Sequence, residues 1–141
     1  MNDIKSLLPH REPFLFVDEL AKVTDEEIVG TRTFTDDDFF FKGHFPQYPV
    51  VPGVILVETM AQCGGAGVSS SGALGDALFF LASVDKVKFR RQVRPGDTVR
   101  MEIKNIRVSK KMIKQAGKSY VGEELAAEAE WLCLVGEAPT E

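Results

Sequence analysis

The stretch "PVVPGVILVETMAQCGG", residues 49–65, decides how the rest of the chain is read. Its spacing predicts a helix starting at Gly53 or Val54 and ending at about Gly64. Val54, Ile55, Leu56, Val57, Met60, Ala61 and Cys63 lie nearly all round that helix, so it is buried on most sides and something must enclose it. Glu58 is the only charged residue from Val50 through Ala61. A carboxylate in such a place is either paired or has its pKa raised; titration at roughly 6 is expected, as for carboxyl groups in apolar pockets. Gln62, one helical turn further on, shares the face of Glu58 and is expected to share a hydrogen-bond network with it. The following "GGAGVSSSGALG", residues 64–75, is expected to terminate the helix in a loop with little packing capacity.

The flanking sequence supplies the enclosure. In "LLPHREPFLFVDEL", residues 7–20, Pro9 and Pro13 resist helix, which predicts a turn leading into a strand over Phe14–Leu20. The β-branched run at 28–35 reads as a second strand. Acidic residues 36–38 and Phe39–Phe41 lead to a loop over 42–53, stiffened by Pro46, Pro49 and Pro52. A strand around Leu78–Arg90, bent near its middle, precedes the turn "RPGD" at 94–97. Val99, Met101 and Ile103 then alternate with charged residues, and the alternation slips to Ile106 and Val108, predicting a bulge near Asn105. Strands over about 111–121 and 125–135 complete the chain. The expected fold is α+β: one mostly antiparallel sheet curled around one helix, in a single domain spanning residues 1–141.

Composition narrows the function. The 141 residues are 44% hydrophobic and 27% charged, as in ordinary soluble globular proteins. No stretch approaches the roughly 20 apolar residues of a membrane span, and "MNDIKSLLPHREP" lacks the pattern of a signal peptide, so a cytoplasmic protein is expected. Cys63 and Cys133 sit among apolar neighbours without CxxC spacing, which reads as two buried, reduced thiols, with a disulfide or metal site as the alternative. Net charge is −4, yet residues 86–118 hold 12 of the 17 lysines and arginines and carry +10 against −14 elsewhere. Either this is a solvated strand pair with a basic polar side, or it is a docking patch for an anionic partner. Nucleic acid is disfavoured by the acidic balance and the lack of interleaved aromatics.

The chemistry concentrates around the helix start. His44, in "GHFP", is one of two histidines in the chain and precedes free helix N–H groups at which Gly53 leaves the backbone accessible. A base at His44, backbone donors at Gly53 and an acid at Glu58 are the three parts required to remove water from a β-hydroxy carbonyl compound. Structural roles for the same three residues stand as the alternative. His10 reads as structural, no GxSxG supplies a serine nucleophile, and no residues have metal-ligand or P-loop spacing.

The segments "LLPHREPFLFVDEL", "GHFPQYPVVPGVILVETMAQCGG", "VDKVKFRRQVRPGD" and "ELAAEAEWLCLV" closely resemble the 3-hydroxyacyl-[acyl-carrier-protein] dehydratases of type II fatty acid synthesis, over roughly residues 7–135. The resemblance implies a hot-dog fold, an antiparallel sheet wrapped around one long helix, in dimers assembled as trimers of dimers. It implies that His44 and Glu58 are catalytic and meet across the dimer interface, and that the Gly53 N–H polarises the substrate carbonyl. It implies no metal or bound cofactor, because the substrate rides on the phosphopantetheine of acyl carrier protein. That acidic carrier makes Lys86, Lys88, Arg90, Arg91 and Arg94 docking candidates. Phe39, Phe40, Phe41, Gln62 and Phe80 are candidates for the substrate channel. The chain departs from the family at Glu12, where tyrosine is frequent, and at Phe80, where the gate residue is often tyrosine. Relatives that also isomerise the double bond usually carry aspartate at the Glu58 position, so Glu58 points to dehydration alone. A dehydratase that isomerises, a hot-dog thioesterase and a non-catalytic carrier-binding module are the rival readings.

Overall fold

The structure, a computed structural model, describes residues 3–72, 74 and 77–137. A short helix α1 (Ile4–Leu7) precedes strands β1 (Glu19–Val23) and β2 (Glu27–Thr33), a 3₁₀ turn (Phe39–Lys42) and the long helix α2 (Gly53–Ser70). Strands β3 (Leu78–Phe89), β4 (Thr98–Val108), β5 (Met112–Val121) and β6 (Glu124–Gly136) follow. All six strands form one antiparallel sheet in the order β1-β2-β4-β5-β6-β3. The sheet curls so far that α2 packs against every strand. Alternation does the rest: Val99, Met101 and Ile103 on β4, Ile113 on β5 and Trp131 on β6 point inward onto Met60, Cys63 and Ala66 of the helix.

Two expectations are corrected. The helix does not stop near Gly64 but continues to Ser70, and residues 64–68 are buried. The glycines there are contact positions: a Cβ at Gly64 would overlap the Gln115 side chain, whose amide carbon lies 2.7 Å away. Helix propensity is low in this segment, but close approach of the sheet overrides it. Residues 73 and 75 of the expected loop lie outside the described residues. The first strand is not Phe14–Leu20 but Glu19–Val23. Residues before it spend their backbone hydrogen bonds on a side chain: Phe16 N–H donates to Gln62 Oε1 at 2.8 Å, and Gln62 Nε2 donates to Phe14 O at 3.1 Å. The expected bulge stands between Asn105 and Arg107. The bend in β3 comes from two register shifts, at Leu81/Ser83 and Asp85/Lys88, with Lys86 at φ 52°.

β3 is an edge strand of 12 residues. It leaves Phe80, Leu81, Val87 and Phe89 exposed beside its unpaired backbone. Among the described residues, no helix is long and apolar enough to cross a membrane.

Candidate active site

Glu58 sits in the second turn of α2 and opens into a pocket of about 330 Å³ shared with His10, Phe14, Gln62, Phe80 and Cys133. Its Oε2 accepts a hydrogen bond from Gln62 Nε2 at 2.9 Å, the network expected from the i, i+4 spacing. Gln62 is 2% exposed and is itself held by the Phe14–Phe16 backbone, so the carboxyl is aimed by a side chain that cannot turn.

His10, read as structural from the sequence, faces the same carboxyl, with Nε2 3.8 Å from Glu58 Oε2. Its Nδ1 is buried without a hydrogen-bond partner among the described residues. Burial lowers its pKa from the ordinary imidazole value; the Glu58 charge works in the opposite direction and Arg11 reinforces the lowering. The only signal in the sequence was that this chain has two histidines; their separation from Glu58 along the chain hides which of them lies beside it.

His44 precedes the segment 45–52 that leads into the helix. Its Nδ1–H donates to Val50 O at 3.0 Å, Val50 N–H donates back to His44 O at 2.9 Å, and the ring stacks on Phe45 with centroids 4.3 Å apart. A neutral imidazole whose Nδ1–H is committed to a carbonyl has Nε2 as its free lone pair, which is the form a base requires. The His44–Phe45 peptide bond is cis, as is Glu12–Pro13.

Gly53 opens α2. Ile55 N–H already bonds to Pro52 O, whereas the N–H groups of Gly53 and Val54 have no acceptor within the helix. A side chain at 53 would meet the Phe89 ring, 2.8 Å from the position of its Cβ. Gly53 lies in a groove of about 510 Å³ lined by Val54, Phe89, Arg90, Arg91 and Val93. This is a different recess from that of Glu58, and His44 lines neither.

The other candidates separate. Phe80, 53% exposed, lines the Glu58 pocket. Phe40 and Phe41 are buried in an aromatic cluster with Phe16 and Phe34, and Phe39 is exposed; none of the three lines that pocket. Cys63 and Cys133 are free and buried, with burial pushing their pKa values up to about 12 and about 11. Part of the basic segment faces acids that return on β6. Lys86 pairs with Glu130 at 3.4 Å, Arg90 with Glu128 at 3.1 Å, and Arg91 with Glu124 at 3.5 Å. Lys88 has no ion-pair partner among the described residues, and Arg94 lies against the His44 loop.

One sheet wrapped round one helix, with a carboxyl on the helix and an oriented imidazole at its approach, defines a hot-dog protein of the dehydratase type. Residues 8–130 match the model of the FabA-like domain, and the chain belongs to that family. It is 44% identical over 138 residues to the 3-hydroxyacyl-[acyl-carrier-protein] dehydratase FabZ of Desulforamulus reducens, covering 97% of each chain. It is 42% identical to the enzyme of the same name from Moorella thermoacetica, covering 96% of each. The dehydratase heterocomplex ApeI:P from Xenorhabdus doucetiae shares the fold, with a TM-score of 0.82 at 16% identity over 100% of this chain and 93% of that one.

Proposed function

We propose that this protein removes water from (3R)-3-hydroxyacyl thioesters carried on acyl carrier protein, giving trans-2-enoyl thioesters in fatty acid biosynthesis. His44 Nε2 takes the proton from C2, and the Gly53 N–H holds the thioester oxygen as it gains charge. Glu58 gives a proton to the C3 hydroxyl, which leaves as water while the C2–C3 double bond forms. One proton is taken and one is given, so the step balances without a metal or redox cofactor. The observation that carries the reading is the hydrogen bonding of the two groups: Nδ1–H of His44 is tied to Val50 O, and Glu58 is tied to Gln62.

The site is completed by a second copy of the chain. Phe79, Phe80 and Leu81, at one end of β3, line the Glu58 pocket, while Phe89, at the other end, lines the Gly53 groove. Antiparallel pairing of two β3 edges therefore brings the Glu58 pocket of one chain beside the His44 loop and Gly53 of its partner. Trimers of such dimers, in the cytoplasm, are the proposed assembly. Arg90 and Arg91 flank the Gly53 groove where an acidic carrier would deliver its phosphopantetheine arm, and Lys86 and Lys88 lie on β3 just before them.

Complementation tests both parts. His44→Ala and Glu58→Gln should each fold and each lose about 10²–10⁴-fold in turnover on hydroxyacyl carrier. Mixed and allowed to exchange subunits, the two dead variants should recover about a quarter of wild-type activity, because half the dimers then hold one intact site. No recovery despite proven exchange would place the two groups in one chain. Near-normal turnover in either single variant would refute its assigned role. Release of free thiol in place of an enoyl product would mark a thioesterase.

A further inference from the structure

Arg94 is exposed, yet its side chain is folded back onto the loop that carries His44. Its guanidinium lies over the Tyr48 ring, 4.1 Å from the centroid, and its Nε donates to Pro49 O at 3.2 Å. Its own backbone is anchored: Arg94 N–H donates to Asp97 Oδ2 at 2.9 Å and Asp97 N–H returns to Arg94 O at 3.0 Å, closing the turn that starts β4. Neighbouring residues reach the same loop. Tyr48 Oη donates to Gln92 Oε1 at 3.0 Å, and Val51 N–H donates to Val93 O at 2.7 Å. Pro49 and Val51 are thus both tied to segment 92–94, and the residue between them, Val50, bonds both the ring and the backbone of His44.

We propose that Arg94, acting with Tyr48, is a positioning residue for the His44 base rather than a contact for the carrier. The inference rests on the dehydratase reading above. A guanidinium can stack on a ring and donate to a carbonyl at once because its donors lie in the plane of its flat face; an ammonium has no such face. Losing the brace frees Pro49 and Val50 to shift, and with them the carbonyl that selects the His44 tautomer. Small displacements of a base lower the chemical step, not substrate affinity.

Arg94→Lys separates the two roles because it keeps the charge and loses the flat face. Wild type, Arg94→Lys, Arg94→Gln and Tyr48→Leu are assayed on hydroxyacyl carrier and on the small hydroxyacyl thioester of N-acetylcysteamine, which has no carrier to dock. All three variants should lose about tenfold in kcat on both substrates, with KM within about twofold. Combining Arg94→Gln with Tyr48→Leu should cost little more than either alone, since both break one brace. Thermal melts confirm that the variants fold, and ¹⁵N spectra of the His44 ring read the tautomer without reference to turnover. Signals should move from Nδ1–H towards a mixture of both tautomers. An Arg94→Lys enzyme with normal kcat, or an Arg94→Gln defect confined to KM for the carrier, would overturn the proposal in favour of docking. If the wild type dehydrates neither substrate, the dehydratase reading falls, and an unchanged His44 ring spectrum in the variants would separately sink the brace.

Discussion

Replacing Gln62 by leucine tests the joint between fold and chemistry. Leucine keeps the bulk and the helix propensity but removes three hydrogen bonds, to Phe16 N–H, Phe14 O and Glu58 Oε2. These are not equal. Phe16 is 0% exposed, so its N–H finds no water and costs about 1–3 kcal/mol when left unpaired. Phe14 is 42% exposed, and water can satisfy its carbonyl at little cost. The bond to the partly exposed Glu58 is worth about 1 kcal/mol. Burying leucine's extra apolar surface returns about 1 kcal/mol. The net loss is about 1–3 kcal/mol, which lowers the melting temperature by about 3–12 °C for a domain of this length. Calorimetry measures the first effect, and turnover of hydroxyacyl carrier at a temperature where the variant is folded measures the second. With its aim lost, Glu58 should lower turnover by about 10–10²-fold. A melting temperature within about 2 °C of wild type, together with unchanged turnover, would refute the claim that Gln62 holds both the 14–16 backbone and the carboxyl.

Gly64→Ala sets helix propensity against packing. Alanine favours the helix by about 1 kcal/mol. It displaces the Gln115 amide, which accepts from Trp131 Nε1 and donates to Gly64 O and Asn105 Oδ1, at a cost of about 2–4 kcal/mol. Urea denaturation should show net loss of stability; a neutral or stabilising result would mean that the helix and sheet do not meet there. His10 predicts an acid-sensitive fold. Its native pKa is lowered by burial, while Glu58 and Arg11 are the charged groups that face it. The unfolded chain therefore takes up a proton near pH ~6.5 that the native state resists, and stability falls as pH drops from there towards the native pKa. His10→Asn should flatten that fall below about pH 6.5, and equal slopes for the two proteins would show that this ring does not drive it. Reversing Lys88, Arg90 and Arg91 to glutamate should raise KM for the carrier substrate and leave the small thioester untouched. Unaffected carrier-bound turnover would locate docking elsewhere.

What the amino-acid sequence determined by itself was whatever a short window encodes. The all-round apolar pattern over 54–63 required an enclosed helix, and the period of two over Val99, Met101 and Ile103 required a sheet to enclose it. The slip after Ile103 announced the bulge, and the four-residue spacing joined Gln62 to Glu58. Local propensity misled at 64–70, where the sheet's need for a close surface keeps glycines helical, and at 14–18, where a buried glutamine side chain takes hydrogen bonds that a strand would have made. Only the tertiary structure decided which groups face one another across the chain: His10 and Glu58, Arg94 and Tyr48, the basic residues of β3 and the acids of β6. Those pairs are set by strand order and register, which bring together residues dozens of positions apart. No local period records that meeting, because backbone geometry repeats every two or 3.6 residues and carries no memory of what lies opposite.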